Sequence, residues 1–186
     1  MTTTTSSTKH TITALVEDKP GVLNRISNMF RRRGFNIASL AVGRSEIPNL
    51  SRMTFVVEGD DAVVEQVTKH LHKLIDVVKV SDMSNENTVT RELSLIRVRA
   101  NVQTRSEIMQ MVDIFRANIV DVAPDSLIIE VTGDEDKVDS LQDLLRSFGV
   151  VEVMRTGTIA MGRGMSDGQP QDDSTDHSRP RMEGGL

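Results

Sequence analysis

The chain of 186 residues contains no cysteine, no tryptophan and no tyrosine, and it has only five phenylalanines. The absence of cysteine excludes disulfides, thiolate zinc sites, iron–sulfur clusters and a cysteine nucleophile. The scarcity of aromatic side chains removes the groups on which single-stranded nucleic acid usually stacks, and the net charge of -5 gives no general attraction to phosphates. The sequence therefore predicts no nucleic-acid partner.

Long apolar runs are also missing. No stretch approaches the roughly 20 apolar residues that a membrane-spanning helix needs. The first residues, 1–8, are polar and rich in threonine, without the apolar centre of a secretory signal. These features predict no membrane partner and a cytoplasmic location. Residues 1–9 are predicted to be a disordered leader, and residues 163–186, rich in Gly, Pro, Asp and Ser, a disordered tail.

The rest of the chain consists of two copies of one pattern of apolar spacing. In the first copy, residues 10–83, strands are predicted at 10–16, 35–42, 52–58 and 77–80, with helices at 20–33 and 60–74. In the second copy, residues 91–162, strands are predicted at 93–100, 119–122, 126–132 and 150–153, with helices at 106–116 and from 134 onward. The polar residues 84–90 are the predicted linker between the copies.

The order β-α-β-β-α-β in each copy predicts an α+β protein made of two tandem ferredoxin-like modules. In this arrangement an antiparallel four-stranded sheet carries both helices on one face. The other face of each sheet is expected to be uncovered.

No set of residues in the sequence supports catalysis. A nucleophile beside a base, clustered carboxylates or metal ligands at useful spacing are not evident. The four histidines are dispersed, and His70 and His72 are two residues apart on a predicted helix, so they point to different faces. The run from Arg31 to Arg33 fits the last turn of a helix, where the helix dipole favours cations. We predict a protein with no catalytic residues, metal site or cofactor of its own.

The most informative segment is Asp18-Lys19-Pro20-Gly21-Val22-Leu23, at the junction of the first strand and first helix. Asp18 is suited to cap the helix, Pro20 to its first turn, and Gly21 leaves room for a ligand. Free backbone N–H groups and the positive end of the helix dipole favour a carboxylate there. The corresponding stretch of the second copy, 103–108, has no glycine. From the residues alone, this segment of the first copy is predicted either to sense an amino acid or merely to form a turn and a helix start.

Three segments in this order resemble the small, regulatory subunit of acetolactate synthase (acetohydroxyacid synthase), a family that contains an ACT domain. They are residues 17–23, Arg33-Gly34-Phe35-Asn36-Ile37 and Leu50-Ser51-Arg52-Met53-Thr54. Residues 114–122 in the second copy resemble the C-terminal domain of the same family. The resemblance spans about residues 10–162 and identifies the first copy with the ACT domain.

The resemblance implies a regulatory subunit that binds and activates a catalytic large subunit and makes it sensitive to feedback by valine, leucine or isoleucine. Thiamine diphosphate, Mg and FAD are expected on that partner. The resemblance also implies a homodimer through the ACT domain. Its effector would lie between Asp18, Gly21, Val22 and Leu23 of one chain and Asn36 and Ile37 of the other.

Two other functions fit part of the pattern. An ACT-domain sensor could regulate a different enzyme of amino-acid metabolism. RNA-binding modules share the β-α-β-β-α-β order, but they carry aromatics on the exposed sheet face, and here the strand 52–58 supplies only Phe55.

Overall fold

The computed structural model describes residues 8–84, which form the first module, and residues 87–164, which form the second. The predicted leader falls mostly outside these ranges, and the predicted tail almost entirely. The elements of the first module are β1 (Thr8–Glu17), α1 (Val22–Arg33), β2 (Ile37–Arg44), β3 (Leu50–Gly59), α2 (Asp61–His72) and β4 (Val77–Asp82). No helix in the two described ranges is long and apolar enough to cross a membrane.

The second module repeats this order and adds a strand. Its elements are β5 (Thr88–Arg99), α3 (Arg105–Ile114), β6 (Asn118–Val122), β7 (Ser126–Gly133), α4 (Glu135–Leu145), β8 (Val150–Arg155) and β9 (Ile159–Gly162). The strand orders are β2-β3-β1-β4 in the first sheet and β6-β7-β5-β8 in the second, with β9 also paired to β5. The prediction of two tandem ferredoxin-like modules is confirmed.

Helix α1 shows why these segments adopt their structure. Its buried residues Val22, Ile26 and Phe30 recur every four positions and form one face against the sheet, where Phe30 stacks on Phe55 at 5.4 Å between ring centroids. Gly34 ends the helix with a left-handed φ of 70°. The N–H of Phe35 then donates to the carbonyl of Phe30, and the two rings touch edge to face, a Schellman cap with its apolar contact.

Several predicted boundaries differ from the structure. Strand β1 begins at Thr8, inside the predicted leader, and β5 begins at Thr88, inside the predicted linker. Strand β9 was not predicted at all. It exists because the early start of β5 offers a free edge, along which Thr88 pairs with Gly162 and Arg91 with Ile159. Four residues are too few for a periodic signal, so their pairing partner determines that they form a strand.

The expectation of an uncovered sheet face is wrong for the first module. Leu15 and Val56 lie on the face opposite the helices, outside the apolar core, yet they are only 7% and 6% exposed. The second module packs on this face. The N–H of Thr158 donates to Ser39 Oγ at 2.9 Å, and Lys9 forms an ion pair with Glu135. In the second module Leu95 and Met154, which pair on the corresponding face, stay 37% and 61% exposed.

Gly157 lies close against β2 of the first module, and this approach can be tested. A Cβ atom there would lie 2.8 Å from Ser39 Oγ and 3.0 Å from the carbonyl oxygen of Leu40, at a φ of +82°. We expect Gly157→Ala to lose about 1–2 kcal/mol for the left-handed backbone and about 1–3 kcal/mol more for the overlap. Urea unfolding measures the loss.

Gly34→Ala is the matched control, because Gly34 has a φ of +70° but no atom lies within 4 Å of the place that a Cβ atom would occupy. It should show the backbone cost alone. Equal losses in the two variants would contradict a tight contact between the modules.

Candidate functional site

The junction of β1 and α1 is built around Gly21. Gly21 is the N-cap residue of α1 and has a left-handed φ of 92°. Because the helix begins only at Val22, Pro20 precedes it, and Asp18 lies too early in the chain to cap it. The predictions that Asp18 caps the helix and that Pro20 lies in its first turn are therefore wrong, whereas the prediction that Asp18 binds an effector stays a prediction. The carboxylate of Asp18 instead lies 3.7 Å from Arg44 Nε, at the end of β2.

The first turn of α1 presents backbone N–H groups that need an acceptor. The N–H of Val22 is 3.5 Å from the Lys19 carbonyl, and that of Arg25 donates to the Gly21 carbonyl at 3.0 Å. The N–H groups of Leu23 and Asn24 have no acceptor among the residues that the structure describes, and no side chain there caps the helix. Together with the helix dipole they form a place for an anion. Asn24 was not among the predicted site residues.

The side chains of the junction differ in what they can offer a ligand. Val22 is buried in the core of the module, so only its backbone faces the junction. Leu23 is 47% exposed and presents an apolar surface beside the free N–H groups. Asp18 is half exposed and can accept a hydrogen bond from a ligand ammonium group.

Behind the junction, Asp76 holds two cations in place. Its carboxylate is 2% exposed and lies 2.8 Å from Lys19 Nζ and 2.5 Å from Arg25 Nη1. The hydrogen bond from Lys19 is the main cause that lowers the pKa of Asp76, and the charge of Arg25 adds to it. Asp76 thereby ties the loop before α1, the helix itself and the loop before β4 to one another.

Asn36 and Ile37, the other predicted site residues, lie at the opposite end of the sheet. Asn36 Nδ2 donates to Glu58 Oε2 at 3.1 Å, and its carbonyl oxygen accepts no hydrogen bond from residues 8–84 or 87–164. Ile37 packs against the core and is partly exposed. The eight residue steps from Asn36 to Arg44 span about 26 Å of strand. A single chain therefore does not bring together the two halves of the predicted effector site, the junction at Gly21 and the pair Asn36 and Ile37.

The second module has no glycine at the corresponding junction. Its backbone hydrogen bond from Ala100 to Asp125 matches that from Asp18 to Asn49, so its junction starts three residues earlier than the sequence comparison predicted. Asn101 Oδ1 accepts from the N–H groups of both Gln103 and Thr104 at 2.9 Å. These two donors precede α3, and in its first turn the N–H groups of Ser106 and Glu107 have no acceptor among the described residues, as in α1. The junctions differ instead in the glycine and in Glu107, an acidic first-turn residue that α1 lacks and that disfavours an anion.

The asparagine half of the predicted effector site has a counterpart in the second module. Asn118 Nδ2 donates to Glu130 Oε1 at 3.3 Å, as Asn36 does to Glu58. The strand that follows each asparagine has a register irregularity at the same place, after Ile119 and after Ile37. The second module thus retains the asparagine half of the pattern without the open glycine junction.

A cavity of about 490 Å³ separates the modules beside Asn36. Glu58 and Ser39 line it from the first module, and Glu92, Glu135 and Arg155 from the second. Each of these second-module charges is paired, Arg155 with Glu92 and Glu135 with Lys9. Within residues 8–84 and 87–164 no group of three or more His, Cys, Asp or Glu side chains is arranged to hold a metal ion.

Two ferredoxin-like modules in tandem, the first with an open glycine junction, define an ACT-domain protein with a related second domain. Comparison with known proteins agrees with this class. Residues 12–79 match the family model described as AHAS small subunit-like ACT domain, and residues 91–164 match that described as small subunit of acetolactate synthase.

Individual relatives narrow the class further. A probable acetolactate synthase small subunit from Archaeoglobus fulgidus is 62% identical over 156 residues, which cover 84% of this chain and 98% of the relative. One from Methanothermobacter thermautotrophicus is 55% identical and covers 83% and 93%. The crystal structure of the small subunit from Thermotoga maritima superposes with a TM-score of 0.79 at 45% identity, covering 86% and 99%. The chain belongs to the family of acetolactate synthase small subunits.

The pairing of Asp76 with Lys19 and Arg25 makes a prediction about acid stability. Because its pKa is lowered in the folded protein from an ordinary value near 3.8, the ionised form stabilises the fold. This contribution is complete above the unfolded pKa and is lost as the pH falls through the folded pKa. We expect Asp76→Asn to be less stable than the wild type at pH 7, with the difference shrinking towards pH 3 in denaturant titrations.

Glu65→Gln is the control, because Glu65 is an exposed carboxylate paired with Lys69 on the surface of α2. It should change stability much less at either pH. A constant difference between wild type and Asp76→Asn from pH 7 to pH 3 would contradict the assignment.

Proposed function

We propose that this chain binds the catalytic large subunit of acetolactate synthase, raises its activity and confers feedback inhibition by valine or another branched-chain amino acid. The large subunit would carry thiamine diphosphate, Mg and FAD. The observation that carries the proposal is the open junction at Gly21 in a member of the small-subunit family. The chain would act as a regulatory subunit in branched-chain amino acid biosynthesis, without catalytic residues of its own.

The edge of the first sheet supports a homodimer. Strand β2 is an edge strand, and its sequence Ile37 to Gly43 contains no charge and no proline that would protect it. Val42 is 50% exposed on the helix side of this edge. Pairing of two β2 strands across a two-fold axis would give both edges backbone partners and extend the sheets into one.

Such a dimer would complete the site. In antiparallel pairing the start of one strand lies opposite the end of the other. Asn36 and Ile37 precede and begin β2, whereas Arg44 ends it beside Asp18. The asparagine half of one chain would therefore meet the glycine junction of its neighbour, although these two parts are far apart within a single chain.

The completed site has the groups that an aliphatic amino acid needs. The ligand carboxylate would accept from the N–H groups of Leu23 and Asn24 at the positive end of α1. Its ammonium would donate to Asp18 and to the free oxygen of the second chain's Asn36. Leu23 and Ile37 would contact the aliphatic side chain.

The contacts between the modules offer a path from this site to the second module. Asn36 is bonded to Glu58, which lines the cavity between the modules, and Ser39 on β2 is bonded to Thr158. A ligand that shifts β2 would therefore change contacts with the second module. Feedback requires the effector to prefer one state of the holoenzyme, and a preference of about 1–3 kcal/mol changes activity roughly 5–150-fold.

Titration calorimetry of valine, leucine and isoleucine tests the glycine half of the site. We expect saturable binding by the wild type and its loss in Gly21→Asp, because the new carboxylate lies where the ligand carboxylate is held. Gln103→Asp, at the junction of the second module, is the control and should bind as the wild type does. Undiminished binding by a folded Gly21→Asp protein would refute the site.

Reconstitution with a purified large subunit tests the asparagine half. Asn36→Ala removes one acceptor for the ligand ammonium, so we expect the valine concentration for half inhibition to rise about 10- to 100-fold. Activation without valine should be kept. Asn118→Ala removes the matching asparagine of the second module and should leave the inhibition unchanged.

The same reconstitution separates the proposal from the alternative function. A chain that binds valine but neither binds nor activates a large subunit would be a sensor for a different enzyme.

A further inference from the structure

A basic groove runs between α1 and α2 on the helix face of the first module. Its volume is about 630 Å³ and its floor contains the apolar side chains Met29 and Leu74. The residues that line it are Arg25, Asn28, Met29, Arg32, Arg33, His70, Lys73 and Leu74. None of them is acidic, although the whole chain has a net charge of -5.

Three of the cations in the groove have nothing to neutralise them within residues 8–84 and 87–164. Arg25 is paired with Asp76, but Arg32, Arg33 and Lys73 form no ion pair there. Burial, followed by the charges of Arg33 and Lys73, lowers the pKa of His70, so His70 is neutral at pH 7. The helix dipole favours cations in the last turn of α1 but does not require two of them, Arg32 and Arg33, to converge with Lys73 on one groove.

The dimensions of the groove fit a segment of protein. From Arg25 to Arg33 the helix rises about 12 Å, the length of two turns of a docked helix. Two helices form its walls, its floor is apolar and it is open to solvent along its length. This is the geometry in which an amphipathic segment places apolar residues on the floor and charged residues along the walls.

We propose that the groove between α1 and α2 docks an acidic, amphipathic segment of the catalytic large subunit. The inference rests on the proposed function and names the surface through which the subunits meet. Carboxylates of the segment pair with Arg32, Arg33 and Lys73, while its apolar side chains cover Met29 and Leu74. The groove lies on the helix face, away from both the β2 edge and the face covered by the second module, so dimerisation and docking do not compete.

An acidic protein segment fits the groove better than nucleic acid does. No aromatic side chain lines the groove, so bases have nothing to stack on. The acidic net charge of the chain also repels a long phosphate backbone beyond the groove.

The test is the activation of a purified large subunit by increasing amounts of the full chain at 50 and 300 mM KCl. The variant Arg32→Gln/Arg33→Gln/Lys73→Gln is compared with the wild type. We expect its half-saturating concentration at 50 mM KCl to be about tenfold higher, because three charge pairs are lost. Its dependence on salt should be weaker than that of the wild type. Thermal unfolding of both proteins verifies that the variant is folded.

The control variant Lys69→Gln/Arg91→Gln/Arg99→Gln removes the same charge from exposed positions outside the groove. It should activate as the wild type does. Equal half-saturation by the groove variant and the wild type would overturn the docking proposal and leave the proposed function intact. Failure of the wild type itself to bind or activate a large subunit would instead overturn the proposed function. Salt-sensitive retention of RNA by the wild type but not by the groove variant would overturn docking in favour of nucleic acid.

Discussion

The antiparallel pairing of β1 with β3 is the constraint on which the first module depends. It runs without interruption from Thr8 opposite Gly59 to Glu17 opposite Leu50. One end of this ladder therefore holds the glycine junction, and the other end holds Glu58 and its partner Asn36. A shift by one residue would turn Ile12 and Phe55 out of the core. The same register that builds the core thus fixes the two halves of the proposed site at opposite ends of one sheet.

The two modules share a fold but differ at one junction. At the first, Gly21 adopts a left-handed conformation and leaves the early N–H groups of α1 without a partner among the described residues. At the second, Asn101 accepts from the N–H groups of Gln103 and Thr104 ahead of α3, and the acidic Glu107 stands in the first turn of the helix. The difference depends on side-chain chemistry and not on topology. It is the reason why the ligand site is proposed in the first copy and not in the second.

The placement of the second module gives it a direct part in the first. Gly157 and Thr158 contact β2, the strand whose free edge is proposed to form the dimer. The covered face of the first sheet is therefore connected to the strand that would sense the effector. The helix face stays open, and there the cations of α1 and α2 collect in one groove. The three surfaces of the first module thus have separate partners in our proposal: the second module, a second copy and the catalytic subunit.

The sequence by itself determined the repeated β-α-β-β-α-β order, the apolar face of α1 and the family, because periodic spacing and short motifs are local. It also pointed to Gly21, since a glycine between a strand and a helix is visible in the sequence. The tertiary structure alone decided that Asp18 contacts Arg44, that Val22 is buried and that β9 forms. It also decided that Leu15 and Val56 are buried on the sheet face opposite the helices, and that Arg32, Arg33 and Lys73 share one groove. Each of these depends on residues far apart in the chain, and their proximity is set by sheet register and by the packing of one module on the other.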